Sequence, residues 1–194
     1  MAVLVAITWR RGVLLLMAEM VWVLSATPAS AQTARAPEYS LKAAYLFNFT
    51  QFIEWPSNCF VSAEAPIIIG VLGEDPFGGA LDQAIRDKTL RGRPFEIRRS
   101  RRLGDLGGCH MVFVCASEAK RVPEILAANN KKSVVTISDL DRFGEQGGII
   151  GFYTENNRLR FQINVGAAER AGIKISSQLL RLGTIIREKG DAEK

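Results

Sequence analysis

Residues 110–138 read HMVFVCASEAKRVPEILAANNKKSVVTIS, and this stretch decides the fold. Two short apolar runs, residues 110–115 and 133–138, lie on either side of a helical segment over residues 117–129. The first run is apolar without alternation, which is typical of a strand that is buried on both faces. Strands that alternate with helices indicate a mostly parallel sheet.

The same alternation extends outward from this stretch in both directions. Further strands are predicted at residues 66–72, 95–99, 148–153 and 158–163, and further helices at residues 38–55, 76–86 (with Asp75 as N-cap), 164–171 and 176–188. The last two strands alternate polar and apolar residues like an antiparallel hairpin. We therefore predict one α/β domain of three-layer character, with a mostly parallel sheet, a late antiparallel hairpin and flanking helices.

The N-terminus has the three parts of a secretory signal peptide. Two arginines near the start precede a mostly apolar run and then Ala29-Ser30-Ala31, the small residues that a signal peptidase requires. Glu19 interrupts the apolar run, which is also short for a membrane span. We predict a signal peptide over residues 1–31 and a soluble mature domain over residues 32–194. The alternative is the amphipathic N-terminal helix of a cytosolic protein.

The charge of the mature chain is mildly basic. Its 163 residues carry 23 basic and 19 acidic side chains, a net charge of +4, which permits an acidic partner or membrane surface without requiring one. Six arginines lie within residues 91–102. They form either a basic patch or a solvated sheet edge whose charge discourages pairing with other strands, and the second interpretation is favoured. No nucleic-acid partner is expected outside the cytoplasm.

The inventory of catalytic groups is small. His110 is the one histidine and lies in an apolar strand, where a core or strand-edge histidine is more common than a functional one. The chain has none of the motifs HExxH, CxxC, GxSxG or the P-loop. The turn from Gly70 to Gly73 is a weak phosphate motif, because Glu74 and Asp75 would repel an anion. We expect no enzyme activity, no cofactor and no metal.

Three cysteines remain in the mature chain: Cys59, Cys109 and Cys115. The last two lie at opposite ends of one predicted strand, about 20 Å apart, which is too far for a disulfide. A Cys59–Cys109 or Cys59–Cys115 pair is one expectation, and three buried free thiols are the other.

The first predicted helix is apolar around most of its circumference. Its large side chains include Phe47, Phe49, Phe52 and Trp55. Such a helix is either buried on several sides or offers one face to a partner. Both interpretations stay open from the sequence.

Three segments together resemble a known family. They are KAAYLFNFTQFIEWP over residues 42–56, CHMVFVCASE over residues 109–118, and the stretch from Val134 to Leu180, which contains GGIIGFYTENNRLRFQINVGAAERAGIKISSQLL. In order and spacing they resemble the YfiR/HmsC family of periplasmic regulators, over nearly the whole mature chain.

The resemblance implies regulation without catalysis. Members of this family are periplasmic, and the resemblance implies that this protein binds and represses an inner-membrane diguanylate cyclase, or a sensor kinase, through the partner's periplasmic part. It would thereby control cyclic di-GMP and biofilm formation. The fold implied is a compact α/β domain that is often a homodimer.

The resemblance also bears on single residues. Cys109 lies where the family commonly has a cysteine, which makes Cys59–Cys109 the disulfide candidate. Lys174 and Ser176 lie in a stretch near which small ligands are proposed to bind, and they could hold an anionic group. The second hypothesis is therefore a periplasmic small-ligand binding module, with a pocket near Lys174 and the turn from Gly70 to Gly73.

Overall fold

The computed structural model describes residues 30–186, with side chains from residue 37 onward. Apart from Ser30 and Ala31, the predicted signal peptide lies outside the described residues. The chain divides into two compact units, residues 1–35 and 36–194, and the second contains the α/β domain. Within the described part of the chain, no helix is both long enough and apolar enough to cross a membrane.

The domain alternates strands with helices. The strands are β1 (Ile53–Glu54), β2 (Ile67–Leu72), β3 (Thr89–Leu90), β4 (Arg93–Ser100), β5 (Met111–Val114), β6 (Val135–Ser138), β7 (Ile150–Glu155), β8 (Arg158–Asn164), β9 (Lys174–Ile175) and β10 (Thr184–Ile186). The α-helices are α1 (Ser30–Thr50), α2 (Ala80–Ile85), α3 (Val122–Asn129), α4 (Val165–Arg170) and α5 (Ser177–Leu182), and 3-10 turns cover Ser57–Cys59, Leu103–Leu106 and Ala116–Arg121.

The central sheet confirms the predicted fold class. Its strand order is β10-β8-β7-β6-β5-β2-β4-β3, and β1 and β9 form a separate two-stranded ribbon. The strand pairs β4–β2, β2–β5, β5–β6 and β6–β7 are parallel, as is the pair of β10 with β8. The pair of β7 with β8 is the predicted antiparallel hairpin, and β3 pairs antiparallel with β4.

Helices cover both faces of the sheet, which gives three layers. All four residues of β5 are buried, as their continuous apolar run predicts. One face carries the larger core, into which α1 places Ala43, Leu46 and Phe49. The opposite face carries a smaller core that includes Val122 and Ile125 of α3.

The first helix ends earlier than predicted. It stops at Thr50, and Ile53 and Glu54 pair antiparallel with Ile175 and Lys174. The Ser176 N–H also donates to the Phe52 carbonyl, which extends this connection. A partner that lies more than one hundred residues away in the sequence therefore decides where the helix ends.

The second helix is also shorter than predicted, and Asp75 is not its N-cap. The helix begins at Ala80 after Gly79, with no side-chain cap. The Asp75 carboxylate instead accepts hydrogen bonds from the Phe77 N–H at 2.7 Å and from Arg99 at 2.6 Å. One oxygen of Asp75 thus holds the turn before the helix and the other pairs with Arg99 of β4.

The prediction of a last helix over residues 176–188 is wrong at residues 184–186. Ser176 caps α5 as an acceptor for the Gln178 N–H, but the helix ends at Leu182. Residues 184–186 form β10, in which Ile185 pairs with Ile163 of β8. Hydrogen bonding to the sheet edge overrides the local helical pattern.

Candidate functional site

Helix α1 has a solvent-facing stripe without charge, referred to below as the α1 stripe. It consists of Ser40, Leu41, Ala44, Phe47, Asn48 and Gln51, which are exposed or half-buried. Leu41 is 48% exposed, although it is a large apolar residue. Between Tyr39 and Ile53 the only charged residue is Lys42. A surface helix normally presents charged residues to water, so this stripe is typical of a surface that a partner covers.

The one charge of this segment is turned into the domain. Lys42 is 3% exposed, and its Nζ atom lies 2.6 Å from both Glu38 and Asp139. The Asp139 carboxylate also accepts a hydrogen bond of 2.7 Å from the Tyr39 hydroxyl. The ammonium lies 4.3 Å from the centre of the Tyr39 ring. These contacts fix the rotation of α1 about its axis, and with it the direction of the α1 stripe.

The four predicted partner residues are not all available at the surface. Phe49 is buried in the core, 4.9 Å from the Phe161 ring. Phe52 and Trp55 are half-buried against the same core. Phe47 is half-buried, with its ring 5.5 Å from that of Phe95, and it lies on the α1 stripe. Of this set, Phe47 has the position that suits contact with a partner.

Lys174 and Ser176, the predicted ligand residues, lie on and beside the β1–β9 ribbon. Lys174 is exposed and stands opposite Glu54 in the strand pair. The Ser176 hydroxyl accepts the Gln178 N–H as a helix cap, so one of its lone pairs is used locally. A ligand function for the two residues stays a prediction.

The cysteines are free thiols in the structure, which agrees with the second of the two sequence expectations except that Cys59 is not buried. Cys109 and Cys115 are buried and Cys59 is half-buried. Cys109 precedes β5 and Cys115 follows it, so the two lie at opposite ends of that strand as predicted. Burial raises the pKa of Cys109 to about 11 and that of Cys115 to about 12. The Cys59–Cys109 bond is not formed and stays a prediction.

His110 lies beneath the segment that connects β1 to β2. The Phe60 ring stacks on the imidazole at 4.5 Å, and the Trp55 ring meets it edge-on at 6.1 Å. The Trp55 indole N–H donates to the His110 carbonyl at 3.0 Å. These contacts agree with the prediction of a packed histidine rather than a catalytic one.

The six arginines of residues 91–102 do not form a free basic patch. Arg93 donates to the carbonyls of Ser62 and Ala65. Four others form ion pairs: Arg98 with Glu96, Arg99 with Asp75 and Asp82, Arg101 with Glu74, and Arg102 with Asp105. Their charge is therefore largely balanced locally, which favours the predicted solvated region.

The usual ligand crevice of a parallel α/β sheet is closed. It would lie at the carboxyl ends of β2 and β5, where the strand order reverses. Here the Ser117 hydroxyl accepts the Glu74 N–H at 2.9 Å. A Cβ atom on Gly73, whose φ is +106°, would meet the Ser117 oxygen at 2.3 Å. The two loops are in direct contact, and Glu74 and Asp75 line this end of the sheet. The described residues include no cluster of His, Cys, Asp or Glu that could hold a metal ion.

A family model described as YfiR/HmsC-like matches residues 39–184. The chain belongs to the YfiR/HmsC-like family. The matched range contains α1 from Tyr39 and the whole sheet except for the end of β10. At the level of the family, YfiR/HmsC-like proteins are periplasmic regulators rather than catalysts.

Other comparisons add little to this assignment. A search of curated proteins returns no match for the YfiR/HmsC-like chain. Among solved structures, a conserved domain protein from Vibrio cholerae O1 biovar El Tor strain N16961 is similar, with 11% sequence identity and a TM-score of 0.49. The match covers 74% of this chain and 59% of that one, so this chain spans less than two thirds of the other's length.

Two features of this surface were not predicted from the sequence. Leu41 and Ala44 lie on the same side of α1 as Phe47, because residues three and four apart share a helix face. Their spacing of three residues and the scarcity of charged residues in this segment could have predicted the α1 stripe from the sequence. The pairing of Lys42 with Asp139 had no such signal, since 97 residues separate the two in the sequence.

Proposed function

We propose that this YfiR/HmsC-like protein binds the periplasmic part of an inner-membrane diguanylate cyclase through the α1 stripe and represses it. Family membership supports a regulatory role in the periplasm, and a membrane-bound cyclase is a partner that suits such a role. The uncharged, exposed α1 stripe is the observation that supports this position for the interface.

The stripe has the composition of an interface centre. Interface cores are poor in charged residues and contain apolar anchors surrounded by uncharged polar groups. Leu41, Ala44 and Phe47 supply the apolar part, while Asn48 and Gln51 supply the polar rim. Rigid attachment through Lys42 and Asp139 keeps these residues ordered before binding, which reduces the entropy cost of association.

The test is capture of the cyclase by the full chain and by two matched variants. Leu41→Glu places a charge on the α1 stripe, and Leu182→Glu places the same charge on α5, where Leu182 is 67% exposed. We expect Leu41→Glu to reduce affinity for the cyclase at least tenfold, because an interface anchor contributes about 1–3 kcal/mol. Leu182→Glu should bind normally, and both variants should keep the thermal melting temperature of the parent.

The readouts are mass-spectrometric identification of a captured diguanylate cyclase and the cellular level of cyclic di-GMP. Loss of capture with Leu41→Glu should coincide with a rise in cyclic di-GMP. Normal capture by Leu41→Glu would contradict the proposed interface. A sensor kinase as the captured protein would replace the cyclase as partner, and a concentration-dependent dimer lost in Leu41→Glu would assign the α1 stripe to self-association.

A small-ligand binding module is the second candidate function, and one cavity favours it. The cavity has a volume of about 290 Å³ and lies between α3 and α4, with Asn129, Asn130 and Gln146 among its lining residues. Arg170 also lines the cavity, so its amide and guanidinium groups suit a polar or anionic ligand. A rise in melting temperature with a panel of nucleotides, amino acids and cofactors would support this function.

A further inference from the structure

The connection from β1 to β2 is attached to the domain by few contacts. Between Ser57 and Glu64 no side chain is buried, and Val61 is 97% exposed. The attachment consists of the Trp55 indole, the Phe60 ring and the hydrogen bonds that Arg93 donates to Ser62 and Ala65. Segments with so few buried apolar contacts open at a small cost in free energy.

The aromatic part of this attachment depends on His110. The Phe60 ring is held between two groups, with the imidazole on one face and the Arg93 guanidinium 3.9 Å from the ring centre. His110 is 4% exposed and directly precedes the central strand β5 in the sequence. The state of the imidazole therefore determines whether the Phe60 stack is stable.

The hydrogen bonds of His110 require the neutral imidazole. The Ile68 N–H donates to Nδ1 at 3.1 Å, so Nδ1 is an acceptor and carries no proton. The proton is then on Nε2, which has no hydrogen-bond partner among the described residues. The Cys59 backbone lies beside the imidazole and favours the charged form, which opposes in part the effect of burial on the His110 pKa.

Protonation of His110 would disrupt this arrangement in three ways. A proton on Nδ1 would replace the acceptor of the Ile68 N–H with a second donor. A positive charge would be buried beneath Phe60 without a carboxylate partner. The charged groups that act on His110 are Arg93 and Arg98, both on β4 and both cationic, so they would repel the imidazolium.

We propose that residues 55–65 form an acid-released latch, which the neutral His110 ring keeps closed and which opens when His110 is protonated. A protein outside the cytoplasm experiences the pH of the medium, so the latch would respond to acidification of the surroundings. The proposal does not depend on the identity of the partner or on the α1 stripe, and it can fail or succeed independently of the proposed function.

The direction of the pH effect follows from burial. Burial is the largest effect and lowers the pKa of His110 below its ordinary value of 6.5; the Cys59 backbone opposes it in part, and Arg93 and Arg98 lower the pKa further. The open state binds the proton more readily, so the closed state is fully favoured above about pH 6.5 and loses stability as the pH falls below it. Between pH 7.5 and 5.5, the opening equilibrium should shift about tenfold toward the open state.

The first experiment uses NMR on the full chain, in an untagged form. His110 is the only histidine of the sequence, so its imidazole signals are unambiguous. We expect a pKa well below 6.5 and a proton on Nε2 at neutral pH. A pKa at or above 6.5 would overturn the proposal, because the closed state would then tolerate the charge.

The second experiment measures hydrogen exchange of the Ile68 amide and the Trp55 indole at pH 7.5 and 5.5, corrected for intrinsic exchange rates. Protection should fall about tenfold at the lower pH, while the amides of β5 keep theirs. His110→Asn supplies a non-titrating acceptor for Ile68 and should give pH-independent protection. Should that variant not fold, Phe60→Ala serves instead, and it should open the latch at both pH values. Equal protection of the parent at both pH values would refute the latch.

Discussion

Lys42 depends on an ion pair with a residue far along the chain. Its buried ammonium is neutralised by Asp139, which is 13% exposed, and by Glu38, which is 43% exposed. We expect Asp139→Asn to lower the free energy of unfolding by about 3–5 kcal/mol, because it leaves a buried charge without its main partner. Glu38→Gln should cost less than about 1 kcal/mol, as for an exposed pair. Urea denaturation of the two variants distinguishes these outcomes, and equal losses would contradict the assignment.

The cysteines differ in reactivity by position. Cys109 and Cys115 are buried, with pKa values of about 11 and 12, so neither presents a thiolate near pH 8. We expect an aromatic disulfide reagent to label only Cys59 in the folded reduced protein and all three cysteines in denaturant. If Cys59 and Cys109 form a disulfide under oxidation, the folded oxidised protein should not be labelled rapidly. In denaturant, it should be labelled at one thiol. Rapid labelling of two thiols in the folded protein would contradict the burial.

The roles of individual residues could be predicted from the sequence to different extents. The packed role of His110 follows from its place in an apolar strand. The pairing of Lys42 with Asp139 does not follow, because nothing local to either residue indicates the other. Phe49 and Phe47 looked equivalent in the sequence, and only the rotation of α1 separates the core residue from the surface one.

At the scale of elements, the end of the chain gives the sharpest test. Residues 176–188 have a helical pattern, yet the structure breaks at Gly183 and continues as β10. A Cβ on Gly183 would lie 2.6 Å from the Phe161 ring and 3.1 Å from Ile163. We expect Gly183→Ala to destabilise the protein by about 1–3 kcal/mol through overpacking.

A stabilising effect of Gly183→Ala would instead indicate a helix at this position. In a helix interior, replacing glycine by alanine stabilises by about 1 kcal/mol. Thermal melts of Gly183→Ala therefore discriminate between a continuous last helix and the observed strand. Gly79→Ala is a suitable control, because a Cβ there would meet no atom within 4 Å.

Helix ends and strand ends were harder to predict than the elements themselves. The strands β2, β5 and β6 follow from continuous apolar runs, which depend only on local sequence. The ends of α1 and α5 depend instead on β1 pairing with β9 and β10 pairing with β8. Such pairings join segments that are distant in the sequence, so propensity and periodicity could not show them.

At the scale of the whole molecule, the alternation of elements was sufficient for the fold class. Parallel strands need helical crossovers, and the sequence shows that alternation from residue 66 to residue 138. The position of the proposed interface was harder to predict from the sequence, since it required knowing which side of α1 faces water. The closed crevice beside Gly73 also required the structure, although Glu74 and Asp75 already argued against an anion site.

The predicted signal peptide concerns the whole molecule, because its removal would determine the first residue of the mature protein. We expect the exported protein to begin at Gln32, since cleavage follows Ala29-Ser30-Ala31. The intact mass of protein released from the periplasm measures this directly. Replacing Ala31 by Glu should block cleavage and leave the longer form, and a mature chain with another first residue would move the domain boundary.

The packing of α1 has a consequence for the timing of folding. Its core residue Phe49 contacts Phe152 and Phe161, Lys42 needs Asp139, and Ile53 pairs with Ile175. Tyr39 and Phe47 have earlier neighbours in Phe77 and Phe95, but these other contacts of α1 wait for residues 139–175, and contacts of such large sequence separation form slowly. For the predicted export this delay would be useful, because an extended chain would cross the membrane before the domain becomes too compact to pass.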